Sequence, residues 1–196
     1  MTRGRRDVGI APYEGRTHTM QDLKALAKEC GFTVAEDLDP KTLKFMPEVR
    51  DMCAADKCRH YNRSWSCPPA CGTLEEWTAR AARFSKGIIM QTVGDIEDTL
   101  DFEAIMEIAQ RNAETFNKFA DAVLATGLDC LPLSVGGCTR CKSCTYPDAP
   151  CRFPDRNFSS MEATGLLVNQ VCTDNGVPYN YGKGKMAYTS CLLYNE

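Results

Sequence analysis

The run Ile88-Ile89-Met90-Gln91-Thr92-Val93, the stretch Leu100 to Ala125 and the segment Leu128 to Val135 decide the fold. Ile88 to Val93 is apolar, rich in β-branched residues and followed by Gly94-Asp95, which marks a buried strand and its turn. In the next stretch Phe102, Ile105, Met106, Ala109, Ala113, Phe116, Ala120 and Val123 are spaced to form one buried stripe on a helix, and Gly127 closes it. Leu128 to Val135 is strand-like again, and Pro132 puts it at an edge or a bulge because proline cannot donate to a ladder. Strand, helix, strand in that order is a crossover. It predicts a single-domain α/β sandwich with a mostly parallel sheet flanked by helices.

Working outward, residues 1–18 have no periodicity and are expected to form an N-terminal arm, leaving 19–196 as one α/β domain. Thr19 with Asp22 is expected to cap a helix whose stripe is Leu23, Leu26 and Ala27 and which stops at Gly31. Phe32 to Ala35 and Thr42 to Met46 are expected short strands around an Asp39-Pro40 turn. Thr73 and Glu76 form a capping box before a helix through Trp77, Ala81 and Phe84. Ser159 and Glu162 form another, before a helix reaching about Asp174, and Lys185 to Tyr194 is the last strand.

Composition narrows the function. The 196 residues contain no uncharged apolar run approaching the roughly 18 that a membrane span needs. Arg5-Arg6 is followed by polar, Gly- and Pro-broken sequence where an export signal would be apolar, so the cytoplasm is the expected compartment. Basic and acidic residues nearly balance, 23 against 26, which gives no field for nucleic acid. The 12 Cys among 196 residues are too sparse for a secreted disulfide framework, and in a reducing compartment their thiols are available to metal. With only 2 His in the chain, thiolate is the expected donor.

Eight thiols lie in two stretches without helical or strand period. The second reads Gly136-Gly137-Cys138-Thr139-Arg140-Cys141-Lys142-Ser143-Cys144 and continues to Cys151-Arg152-Phe153-Pro154. Two consecutive C-x-x-C steps and a remote fourth Cys resemble the bacterial ferredoxin run, because two intervening residues let the backbone curl and turn successive thiolates inward. Tetrahedral zinc more often takes two separated pairs. Gly136 and Gly137 are expected to let the backbone approach the cluster closely. The first stretch supplies Cys53, Cys58, Cys67 and Cys71, with gaps of four, eight and three residues, compatible with a cluster or with zinc. Tyr61, Trp65, Pro68 and Pro69 interleave these thiols and would exclude water, while His60 is expected to be an ordinary loop histidine. Each stretch follows an expected strand and precedes a capped helix, so in a parallel sheet both would lie at the carboxyl edge as neighbours. Cys30, Cys130, Cys172 and Cys191 fall in helices and strands, where a free Cys acts as a small core hydrophobe. Tyr181-Gly182-Lys183-Gly184-Lys185 lacks phosphate-loop spacing and is expected to be a solvated turn.

The segment Pro47 to Cys53, then Cys58, Tyr61, Trp65 and Cys67-Pro68-Pro69, with Gly136 to Pro147, Cys151 to Pro154 and Ser159-Ser160-Met161-Glu162-Ala163, resembles a family of uncharacterised predicted metal-binding proteins common in anaerobes. The resemblance spans about residues 20–196. It implies a small cytoplasmic protein whose Cys sets bind metal, most simply iron-sulfur clusters. The chain departs at Arg59-His60 and Asn62, where similar proteins tend to carry Gly-Asn and Gly, and at Ala70, where a larger residue is usual.

The expected function is a low-potential electron-transfer module with two [4Fe-4S] clusters, serving a partner oxidoreductase. Oxidised clusters would bring the formal charge from -3 to about -7, steering the protein toward a basic partner surface. Two alternatives stay open: an iron-sulfur enzyme with an exchangeable cluster site, and a binding module built on structural zinc. No conventional acid, base or nucleophile set is legible beside the thiols. One quartet per loop is the simplest partition, but Cys151 joining the first loop's set is also open, and the oligomeric state is not set by the sequence.

Overall fold

A computed structural model describes residues 20–195; the arm 1–18, Thr19 and its expected cap, and Glu196 lie outside the described residues. Helix α1 (Met20–Cys30) buries Leu23 and Ala27 and ends at Gly31, whose φ of 121° only glycine adopts without strain. A Cβ there would stand 3.2 Å from Thr115 Oγ1, so the turn also lets the chain close against the long helix. Strand β1 (Val34–Leu38) follows. The second strand expected at 42–46 does not form. Asp39 accepts from the Lys41 amide and starts a single 3-10 turn at Pro40–Thr42, while Leu43 and Phe45 pack against the core and Phe45 makes only an isolated antiparallel bridge to Leu166.

Helix α2 (Pro47–Ala54) begins on a proline, which fixes φ where the helix needs it. Helix α3 (Leu74–Ala81) opens on the Thr73/Glu76 capping box and leads into strand β2 (Lys86–Asp95). Asp101 caps α4 (Phe102–Ala125), which returns the chain to β3 (Cys130–Leu133). The expected apolar stripe of α4 is correct only in part. The buried face starts at Ile108, which packs on Gly94 near the end of β2. The turns before it overhang the sheet, leaving Phe102 and Met106 each 67% exposed. Ser160, not Ser159, caps α5 (Met161–Thr164), its hydroxyl accepting from the Ala163 amide. The helix expected to reach Asp174 is broken at Gly165, where φ is 104° and a Cβ would strike Leu74. A separate α6 (Val168–Asp174) precedes β4 (Lys185–Tyr194).

The sheet order is β1-β2-β4-β3 and every adjacent pair is antiparallel, which overturns the expected mostly parallel sheet. The crossover through α4 does bring β3 back in the direction of β2, because both run opposite to β4. The C-terminal strand β4 then fills the slot between them. Its ladder with β2 runs from Lys86↔Tyr194 to Asp95↔Lys185, the longest in the sheet. Two ten-residue strands with consecutive buried residues take the centre, as strands covered on both faces do. Pro132 sends β3 to an edge, as its missing N–H requires.

Helices α1 and α4 cover the face bearing Ile88, Met90, Leu192 and Tyr194. Helices α3, α5 and α6 cover the face bearing Ile89, Leu131, Leu133, Cys191 and Leu193. Cys172 and Cys191 are core residues as expected, and Cys30 and Cys130 are half-buried against the other core. The turn before β4 is anchored rather than simply solvated, since the Tyr181 hydroxyl donates to the buried Gln91 Oε1 at 2.5 Å. No helix among the described residues is long and apolar enough to cross a membrane.

Candidate metal centre

The second cysteine stretch leaves the end of β3 and is closed at its neck. Ser134 donates its amide to Ser159 O, accepts the Met161 amide on its carbonyl and bridges Ser160. Within this excursion Cys138, Cys141, Cys144 and Cys151 line one small cavity together with Ser64 and Trp65 from the first stretch. Burial pushes the Cys138 thiol up; the Arg140 amide lowers it, and the neighbouring Cys141, Cys151 and Cys144 thiols raise it further. Cys144 behaves differently. Burial raises it, but the backbone N–H groups of Tyr146, Trp65 and Thr145 and the Ser64 hydroxyl outweigh burial and hold the thiol below its ordinary value. The Arg140 guanidinium is neutralised by a bidentate pair with Asp121 at 2.8 and 2.8 Å.

The first stretch is supported by helices. Cys53 lies on the last turn of α2, so the first stretch begins in a helix and not in the unperiodic sequence expected there. Cys58 follows in a turn where Asp56, Arg59 and Asn62 have φ of 50°, 59° and 53°. Arg59 and Asn62 thus occupy left-handed positions that suit glycine. Cys67 is 6% exposed. Its thiol is pushed up to about 11, by burial first; the Ser66 hydroxyl lowers it and Cys58, Cys71 and Cys53 raise it. Arg50, one helical turn before Cys53, donates to Cys71 Sγ at 3.2 Å and to the carbonyls of Gly72 and Ala163. Cys71 Sγ also donates to Ala163 O at 3.5 Å, and Cys53 Sγ to Glu162 O at 3.8 Å. Burial raises the Glu162 carboxyl, and its Oε2 is shielded from solvent without a hydrogen-bond partner.

The two stretches interlock, so they are neighbours as expected. The cause is side-chain packing and not a shared carboxyl edge of a parallel sheet. Trp65 donates Nε1–H to Ala149 O at 3.1 Å and meets Tyr146 edge-on at 4.9 Å, while the Tyr146 hydroxyl donates to Asn62 Oδ1 at 2.7 Å. The Cys138 amide donates to Ser66 Oγ at 3.3 Å. His60 is an exposed loop residue whose ring lies over Gly137, where a Cβ would stand 2.9 Å from it. Gly137 therefore makes room for His60.

The thiols acting on Cys53 and Cys67 come from the first stretch, and those acting on Cys138 come from the second. Among the described residues no three His, Cys, Asp or Glu side chains converge as ligands of a single metal ion do. The donor chemistry nonetheless suits a thiolate-held metal group: four thiols share one cavity, amides point at Cys144 Sγ and a guanidinium points at Cys71 Sγ. Arg50, Glu162, Ser64 and Ser66 are parts of the site that the spacing of the thiols does not reveal. The available signal is their place inside the segments Pro47 to Cys53, Ser64 to Cys67 and Ser159 to Ala163, which surround the thiols or carry the resemblance.

Fold and site together define a cysteine-rich α/β protein with two thiol quartets joined at one boundary. The chain belongs to the family of predicted metal-binding proteins DUF2284, whose family model matches residues 36–194. No curated protein and no solved structure matches it.

Proposed function

We propose that the protein holds two [4Fe-4S] clusters, one on Cys53, Cys58, Cys67 and Cys71 and one on Cys138, Cys141, Cys144 and Cys151, and passes electrons to a partner oxidoreductase. The observation that carries this reading is the convergence of Cys138, Cys141, Cys144 and Cys151 on one small cavity, with Cys53 and Cys58 of the first set lining another. The C-x-x-C-x-x-C run favours a cluster over zinc. When bound, each cluster supplies one-electron chemistry. The remaining work falls to the chain. Eight thiolates hold the metal, and the N–H groups on Cys144 Sγ and the Arg50 guanidinium on Cys71 Sγ spread thiolate charge. Trp65 and Tyr146 pack edge-on at the boundary between the sets and hold the two stretches together. The acidic balance of -3, made more negative by cluster charge, suits a basic docking surface on the partner.

The test is anaerobic purification followed by metal analysis and a reductive titration monitored by electron paramagnetic resonance. About eight iron and eight acid-labile sulfide per chain, with two one-electron signals that broaden each other, is the expected result. Colourless protein with redox-silent zinc would replace this reading with a structural zinc module.

A further inference from the structure

Glu162 is a half-buried residue whose carboxylate Oε2 is shielded from solvent and which electron transfer leaves unused. It lies on the short helix α5, in the wall facing the first quartet, and lines one pocket with Cys53, Cys58, Val49, Met52 and Leu166. The backbone around it already serves that quartet, because its own carbonyl accepts from Cys53 Sγ and that of Ala163 accepts from Arg50 and Cys71 Sγ. The Glu162 carboxylate accepts from its own amide and from Ser160, yet Oε2 has no partner and no solvent. An unpartnered buried oxygen of this kind has lost its hydration without replacement, a penalty that a cation at that spot removes.

We propose that Glu162 Oε2 is an oxygen ligand of the metal held by the first quartet, at the corner otherwise served by Cys53. This rests on the reading that the quartets hold metal. The four corners of the first centre then have five donors to draw on, with Glu162 and Cys53 alternatives at one corner, whereas the second has four thiolates for four corners. Carboxylate is a harder donor than thiolate and binds iron of a cluster less firmly, so the metal atom at this corner exchanges ligands most readily. The pocket beside it has Met52, 61% exposed, and Tyr179, 49% exposed, among its lining residues and gives an outside molecule access.

The experiment compares wild type with Glu162→Gln, Cys53→Ala and the double variant, all purified anaerobically, with circular dichroism to verify folding. Glu162→Gln, nearly isosteric, is expected to change the first centre's resonance signal and shift its reduction equilibrium at least tenfold, 59 mV for one electron, with the second centre unmoved. Cys53→Ala is expected to retain the iron of both centres, and Cys53→Ala with Glu162→Gln to lose about half of it. A folded Glu162→Gln protein with wild-type signals and potentials overturns the proposal alone, as does Cys53→Ala protein that has already lost the first centre. Wild-type protein without iron overturns the cluster reading and this proposal together.

Discussion

The first and second cysteine stretches supply four thiols each, but they are held in place by different means. The second is an excursion closed at Ser134 and Ser160, and its spacing lets it curl upon itself. Neutral amides aim at Cys144, and the guanidinium between Cys138 and Cys141, that of Arg140, is spent on Asp121. The first has gaps of four, eight and three residues, too irregular to curl unaided. It hangs on α2 and is pinned to α5 by Arg50, whose contact with Ala163 O joins residues 113 apart in sequence. Compact spacing makes a site locally, and irregular spacing needs distant parts of the fold to complete it.

The largest effect is expected from removing one thiol of each set. Cys67→Ser and Cys141→Ser are each expected to lose about half of the iron, measured with sulfide per chain, while the other set stays loaded. A single substitution that empties both would show one shared centre. Next in size, Arg50→Met removes the guanidinium from the Ala163 and Gly72 carbonyls, leaving Ala163 O only the weak Cys71 thiol donor, and is expected to cost about 2–3 kcal/mol in chemical denaturation of the metal-free protein. Arg140→Met, which leaves Asp121 only its pair with Arg156 at 3.8 Å on the other side of the boundary, is expected to leave the iron of the first centre in place.

Thiol chemistry separates the two sets in metal-free protein. Thiolate is the nucleophile, so alkylation at about pH 7.5 is expected to be at least tenfold faster at exposed Cys144, held below its ordinary value, than at Cys67, pushed up to about 11. The rate at Cys67 rises with pH until about 11, whereas that at Cys144 levels off below the ordinary thiol range. The raised Cys67 value also means that the metal-free fold loses stability as pH climbs from about 9 to about 11, since the unfolded chain releases that proton first. Trp65→Ala removes the edge-on contact with Tyr146 and the bond to Ala149 O; the expected loss is about 1–2 kcal/mol by denaturation, with faster alkylation in both sets. The smallest effect has the opposite sign. Arg59→Gly relieves a left-handed φ of 59° and is expected to stabilise the first stretch by about 0.5–1 kcal/mol.

Several parts of the molecule are legible in the amino-acid sequence. The Thr73/Glu76 capping box, the last strand Lys185–Tyr194, the edge position of Pro132 and the eight thiols in two largely unperiodic stretches all rest on short-range chemistry. Capping depends on residues three apart, and proline's missing donor acts at one position. The strand expected at 42–46 fails because Asp39 and Pro40 favour a 3-10 turn and Phe45 finds more burial in the core than in a ladder. The stripe expected on α4 fails at Phe102 and Met106 because periodicity cannot tell where a helix runs past the end of its sheet.

Donor chemistry belongs to the chain itself, since thiolate spacing and the scarcity of histidine are present before any contact forms. Strand direction and order arise only on folding, because β4 enters between β2 and β3 from far along the chain and its ladder competes with a crossover that looks complete locally. The surroundings of the first quartet arise in the same way. Arg50 and Glu162 reach Cys71 and Cys53 only because α2 packs on α5, and contacts across such separations depend on buried surface found by the whole fold rather than on local pattern.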